Sequence, residues 1–372
     1  MREAVKRVIV VMRGVVSTHH DKTTLVSTRA FEKLVHAGQV SVIEPEPEVS
    51  NPDLSLLGVR PDAFSIPEGV LTSSSFKVDP PERTVHFHLS LCSMSQDTGF
   101  GHSPPPPSQA EELELQTVLE RLATSVFVPN WGSGLDHMLF WLDGSIDVGT
   151  TPPGHVKTDG LSSHLPEGDG EHLLRRFIDD SVNLLQETEA NKRRAGEGVP
   201  ELNVFWPWGQ GLTPRLPNLA LRRGETVRFE SRERRLAGLV RLFGYEHGAL
   251  SDFGRPFVPD WKRLLNVVEN RAASVLVFGH IGEALARQRF DDAGQMLQEL
   301  DDEFVSRIAL QRPIRLSLFA LPDDPKTSPS LSAVYDSEIH HTVALPFDER
   351  VFDDRRARRL ALSEAMVGAL RP

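Results

Sequence analysis

Three apolar runs set the architecture of this chain. Arg7–Met12 reads R-V-I-V-V-M, Ala273–Phe278 reads A-S-V-L-V-F, and Ile314–Leu321 reads I-R-L-S-L-F-A-L. Continuous β-branched and apolar stretches of this length belong to strands buried on both faces. From about Leu202 onward they are interleaved with helical patterns. Val227–Phe229 reads as a short strand, Arg232–Phe243 and Trp261–Val268 as helices, and Phe290–Ile308 as a long helix. Alternating β and α elements of this kind predict an α/β fold with a mostly parallel sheet flanked by helices.

The middle of the chain differs in character. Val85–Leu91 alternates and reads as a strand, and Phe31–Ala37 reads as a helix turn closed by Gly38. Gly101–Ala110 contains four prolines, which remove backbone donors and predict an extended linker with a domain boundary beside it. Ser108 and Glu111 have capping-box spacing ahead of a helix over Leu113–Leu122. Between Gly132 and Gly170 the composition predicts loops and short strands. Glu171–Arg194 places Leu174, Phe177, Ile178, Val182 and Leu185 on one face and predicts a single amphipathic helix stopped by Gly196.

Composition excludes several classes of function. A net charge of -11 argues against a nucleic-acid binder, because binding phosphate backbones requires basic surface. The longest apolar run, Val8–Met12, is far short of the roughly 20 residues that span a bilayer, and its flanks do not fit a signal peptide. The lone cysteine, Cys92, excludes an intramolecular disulfide and a Cys-based zinc site, which fits a reducing cytoplasm. A buried inert thiol is its expected role.

Several segments, taken in order, resemble one family. Asn203–Gly211 reads N-V-F-W-P-W-G-Q-G and continues L-T-P-R-L-P. This stretch resembles the N-x-x-W-P-W-G-Q-G of the archaeal-type, 2,3-bisphosphoglycerate-independent phosphoglycerate mutases of the alkaline phosphatase superfamily. Leu54–Pro61 (L-S-L-L-G-V-R-P), Thr151–His155 (T-P-P-G-H), Leu165–Gly168 (L-P-E-G) and Thr342–Phe347 (T-V-A-L-P-F) resemble further motifs of that family in the right order. The resemblance implies an alkaline-phosphatase-like core and an inserted smaller α+β cap. The core is expected over residues 1–105 and 203–372, the cap over 106–202, with Asn203–Gly211 as the return from cap to core and a cleft between the two.

The same resemblance implies two divalent metals, held by Asp and His, flanking a serine that is transiently phosphorylated. Two cations neutralise phosphoryl oxygens, activate the nucleophile and stabilise the leaving alkoxide. Here the expected ligand positions are substituted. The first strand ends in Arg13-Gly14 where the family has Asp-Gly, and a cation repels a divalent ion. The nucleophile position, counted back from Leu54, falls on Val49, with Ser50 adjacent and Pro52 inside the turn. Leu285 and Arg289 fall at an Asp and a His ligand position. Asp323 and Asp324 replace an Asp-His pair, and His340 or His341 stands for the last ligand. His86 and His88 share one face of their strand and read as ordinary polar residues, with a displaced metal pair as the alternative. His19 and His20 read as loop.

Two readings follow from this resemblance. In the favoured one the chain has lost two-metal phosphoryl transfer, needs no cofactor, and serves as a binding or regulatory protein for an unknown protein partner or a phosphorylated small molecule. In the other it remains a metal-dependent mutase or phosphatase using manganese, zinc or magnesium on Asp323, Asp324, His340 or His341, with Ser50 as nucleophile. A weaker third reading is a metal-free sensor of a phosphorylated metabolite, with Arg13 or Arg289 as phosphate partner and His155 near the ligand.

Overall fold

A computed structural model describes residues 5–16, 39–43, 51, 53–95, 99–100, 104–156, 161–223, 226–250, 259–309, 314–322, 330–336, 358–360 and 366. In chain order the strands are β1 (Lys6–Val16), β2 (Gln39–Ile43), β3 (Val85–Cys92), β4 (Met94–Ser95), β5 (Gly99–Phe100), β6 (Phe127–Ser133), β7 (Asp136–Trp141) and β8 (Val148–Gly149). They continue with β9 (Glu167–Gly168), β10 (Val204–Gly211), β11 (Val227–Ser231), β12 (Glu246–Ala249), β13 (Ala273–Phe278), β14 (Ile314–Pro322), β15 (Ser330–Asp336) and β16 (Arg358–Leu360). The chain divides into two units, one of residues 1–65 and 217–372 and one of residues 66–216.

The first unit is built on an eight-stranded sheet of order β12-β11-β13-β1-β14-β15-β2-β16. The strands from β12 to β14 run parallel, and β14–β15 and β15–β2 are antiparallel. The three apolar runs lie side by side at its centre, with Ile9 opposite Val275 on one side and Ser317 on the other. Val8, Ile9, Val10 and Val11 are buried, as expected of a strand covered on both faces. On one face Val10, Leu276 and Leu316 pack with Leu264, Ile281 and Phe304 from the covering helices. Each such side chain contributes about 1.5–3 kcal/mol on burial. The long helix expected over Phe290–Ile308 is α-helical at Phe290–Glu299, widens to a π-helix at Leu300–Val305, and closes with Ser306–Ala309.

The second unit holds a four-stranded antiparallel sheet of order β10-β3-β7-β6. Phe87, Leu89 and Leu91 of β3 pack with Leu115, Leu119, Leu174, Phe177 and Leu185 of the helices Gln109–Arg121 and Glu171–Gln186. Here the division departs from the sequence expectation, because β3 pairs with β7 and β10 and so belongs to the second unit. The boundaries accordingly fall at 65/66 and 216/217, in place of 105/106 and 202/203. Asn203–Gly211 is not a return segment, since Val204–Gly211 forms the edge strand β10 of this sheet.

The proline run is not a boundary either. Arg194 donates to the carbonyls of Pro105 and Pro106 and holds the run inside the second unit. The helix expected over Glu171–Arg194 is two helices, Glu171–Gln186 and Glu189–Glu197. The break comes at Thr188, whose hydroxyl accepts from the Asn191 amide and caps the second helix. The Ser108–Glu111 capping box forms as expected.

Candidate functional site at the strand ends

In open parallel sheets the loops at the carboxyl ends of the strands build the ligand site. Three such ends meet here through charged side chains. β1 keeps regular register with β14 as far as Met12 and shifts before Val16, so Arg13 and Gly14 lie in an irregularity that re-aims the side chain. Gly14 has φ 69°, in the left-handed region. The helix His280–Ala286 packs directly on this turn, and a Cβ at Gly282 would lie 2.3 Å from the Arg13 carbonyl oxygen.

Arg13 bridges two carboxylates. Its Nη2 donates to Asp53 Oδ1 at 2.8 Å, and its Nη1 lies 3.2 Å from Glu233 Oε2. Asp53 opens the short helix Asp53–Leu56, and its other oxygen lies 3.4 Å from Arg235 Nε. Glu233 precedes the helix Arg234–Leu242, just past the end of β11. Beside it, Arg232 Nη1 lies 2.7 Å from His280 Nε2. A guanidinium can only donate, so His280 accepts through an unprotonated Nε2 and is a neutral imidazole in this contact.

Burial governs the electrostatics of this cluster. Burial opposes the charge on Arg13, but the Asp53 and Glu233 carboxylates outweigh it and raise the guanidinium pKa further. Burial pushes the Glu233 carboxyl above its ordinary value, with Arg13 pulling the other way. Asp53 is nearly enclosed, at 8% exposure, and the Arg13 side chain retains 28%. The guanidinium therefore compensates two carboxylates at once.

The residues described at these strand ends do not suit a divalent metal. The donor set is cationic at Arg13, Arg232 and Arg235, and its two nearest carboxylates are already ion-paired. Among the described residues no group of three or more His, Cys, Asp or Glu side chains converges. Ser50, Asp323, Asp324, His340 and His341, like His19 and His20, lie outside the described residues.

The remaining expected residues are placed as follows. Leu285 is partly buried and packs against the core of the first unit. Arg289 pairs with Asp292 at 2.5 Å, at the start of the helix Phe290–Glu299. His155 is exposed on the 3-10 turn Pro153–His155 of the second unit. The hydrogen bonds of His86 and His88 fit ordinary polar residues, not the alternative metal pair. Ser73 Oγ meets His86 Nδ1 at 2.7 Å, Thr72 Oγ1 meets His88 Nδ1 at 2.8 Å, and Asp136 lies 3.2 Å from His88 Nε2. Each ring is thus a buried polar bridge to the helix Glu68–Ser75, and Trp208 of β10 packs on His88 at 4.7 Å.

The partners of Arg13 escaped the sequence reading. Asp53, Arg232, Glu233, Arg235 and His280 look like ordinary loop and helix-start charges in a linear scan. The available signal was positional, because Arg232 and His280 lie within the first two residues after a parallel strand.

Comparison with known proteins agrees with this architecture. No family model matches the chain. It is 26% identical over 207 residues to a probable 2,3-bisphosphoglycerate-independent phosphoglycerate mutase of Geobacter sulfurreducens, a match covering 52% of each chain. It is 24% identical over 192 residues to the enzyme of Methanothrix thermoacetophila, covering 50% of this chain and 48% of that one. These matches thus span about half the length of those relatives. A longer one, 22% identical over 318 residues, covers 80% of this chain and 79% of the Methanosarcina mazei protein. Among solved structures, the PH0037 protein of Pyrococcus horikoshii superposes with a TM-score of 0.72 at 12% identity, covering 99% of this chain and 98% of its own. The cofactor-independent phosphoglycerate mutase of Thermoplasma acidophilum gives 0.61 at 15% identity, covering 98% of both chains. In sequence and in fold, the chain is phosphoglycerate mutase-like.

Proposed function

We propose that this chain is a phosphoglycerate mutase-like protein without two-metal phosphoryl transfer, acting as a cytoplasmic binding or regulatory protein that uses no cofactor. The observation that carries this reading is Arg13, which bridges Asp53 and Glu233 at the end of β1. A guanidinium there supplies the compensating charge but has no vacant coordination position, so it neither activates a nucleophile nor follows charge onto a leaving alkoxide. Restoring metal chemistry would require displacing it and leaving a cation beside a dication. The cytoplasmic setting is supported by the single buried cysteine and by the absence, among the described residues, of any helix long and apolar enough to cross a membrane. The ligand of such a protein is a protein partner or a phosphorylated small molecule, the latter favoured by the arginines Arg13, Arg232 and Arg235 at the strand ends.

The test is interconversion of 3- and 2-phosphoglycerate, followed by enolase coupling, with manganese, zinc and magnesium supplied in turn. The reading predicts no turnover above the protein-free rate under any metal. Metal-dependent turnover that purifies with the protein would overturn it.

A further inference from the structure

We infer that the first unit carries a second, separate anion site, a groove at the β12 edge of the sheet that takes a compact polyanion bearing two or more phosphate or carboxylate groups. The groove has a volume of about 770 Å³ and is lined by Arg228, Lys262, Arg263, Asn266 and Arg271 among others. That volume lies within the range of roughly 300–1,000 Å³ typical of small-molecule sites. The cations are scattered over more than forty positions of the sequence, so no basic run announces them. Folding brings them together because the polar face of the helix Trp261–Glu269 is turned away from Leu264 and Val268, which pack in the core.

The arginines are held in place from below. Glu230 is fully buried and takes Arg228 Nε at 2.7 Å and Arg263 Nη2 at 2.7 Å. Glu246 takes Arg271 Nη2 at 2.8 Å and Arg228 Nη1 at 3.5 Å. These pairs fix the guanidinium planes without consuming them, since each fork has five donors. Arg271, with 34% of its side chain exposed, gives Nη2 to Glu246 and, among the described residues, keeps Nε and Nη1. Arg263 spends its fork on Glu230 and on the Ala249 carbonyl and acts here as a fixed positive charge. Asn270 donates to Asn266 Oδ1, which leaves the Asn266 amide NH₂ as a further donor. The one carboxylate of the lining, Asp260, caps the helix by accepting from the Arg263 amide at 3.0 Å.

Four cations against Glu230, Glu246 and Asp260 leave a local positive excess on a chain whose net charge is -11. An extended polyanion such as RNA would meet the negative remainder of the surface, whereas a compact one meets only the groove. Preorganised forks with unspent donors are the arrangement that recognises phosphate and carboxylate.

The inference does not depend on the strand-end site. Titration calorimetry of the full chain with tripolyphosphate at ~50 mM salt, where screening is modest, tests it. A saturable component of binding is expected that is weakened about five- to tenfold by Lys262→Gln and by Arg271→Gln separately, and unchanged by Arg176→Gln, an exposed position of the second unit. Lys262 is exposed, so Lys262→Gln keeps the test informative if the Arg271 variant fails to fold. Absence of binding, or binding indifferent to both groove substitutions, would overturn the assignment; indifference to both together with loss in Arg13→Gln would place the anion at the strand ends instead.

Discussion

Replacing Arg194 by Met removes one charge from the most enclosed ion pair of the second unit, and the consequence can be worked from the geometry. Arg194 is 5% exposed and Glu111 12%, with Nε donating to Oε1 at 2.8 Å. The same guanidinium donates to the carbonyls of Pro105, Pro106 and Pro200 at 3.1–3.2 Å. Removing one partner of a buried pair costs about 3–5 kcal/mol, because the other charge is left uncompensated. Pro105 and Pro106 are exposed and their carbonyls can turn to water, so the lower end, about 3 kcal/mol, is the expectation. At a urea m-value of about 2 kcal/mol/M this shifts the midpoint down by roughly 1.5 M. Four of the five tryptophans, Trp131, Trp141, Trp206 and Trp208, lie in the second unit, so intrinsic fluorescence reports its unfolding.

The pH dependence supplies an internal control. Burial opposes ionisation of Glu111, but the Arg194 and Ser108 hydrogen bonds prevail and hold its pKa at about 2, against an ordinary 4.5. A depressed carboxylate pKa gives stability that is present above pH 4.5 and is lost as pH falls towards 2. For this partly open carboxylate the contribution is about 2 kcal/mol after allowance for solvent screening. The Arg194→Met variant should show a flatter acid limb, and Glu111→Leu added to it should recover at least half of the loss. A midpoint shift below about 0.5 M, or an unchanged acid limb, would refute the assignment of the pair as a structural anchor.

Other consequences concern both units. Gly282→Ala improves helix propensity by about 1 kcal/mol, yet its Cβ would meet the Arg13 carbonyl, so a net destabilisation of at least about 2 kcal/mol is expected in thermal unfolding; a stabilised variant would contradict the packing of this helix on β1. Burial lowers the His86 pKa to about 4. Stability should therefore fall by roughly 2 kcal/mol between pH 6.5 and pH 5 as the unfolded chain gains a proton, and His86→Asn, which keeps a donor for Ser73, should abolish that slope. Burial pushes the Cys92 thiol up to about 12, so a disulfide reagent at pH 8 should leave the native chain unmodified and react once urea unfolds it.

How much of this was legible in the sequence follows from what is local. The runs over Ala273–Phe278 and Ile314–Leu321 are strands because an apolar stretch buried on both faces has no other compact solution, and β13 begins and ends where the run does. Val85–Leu91 was legible as a strand but not as a member of the second sheet, because pairing with β7 and β10 is a non-local fact that alternation cannot encode. The break at Thr188 was hidden because Glu189–Glu197 carries no apolar stripe that could show a change of phase, and only the Thr–Asn cap spacing marks it. The π-helix at Leu300–Val305 leaves no sign in a pattern that tolerates either period. At the site, Arg13 could be singled out because it stands at a strand end where the resemblance requires a carboxylate. Its partners could not, since an aspartate at the start of a short helix and a glutamate in S-R-E-R-R read as solvated charge until the fold brings them within 3.2 Å of one guanidinium. The basic groove was illegible for the same reason.

The most direct test of the proposed reading, that Arg13 stands where the resemblance implies a metal-binding carboxylate, is metal content. Untagged protein purified without chelator, incubated with manganese and zinc and then desalted, would be measured by elemental mass spectrometry. The account predicts no stoichiometric metal on the wild-type chain. Two metals retained per chain would show that the ligand set has been rebuilt outside the strand ends, and would contradict it.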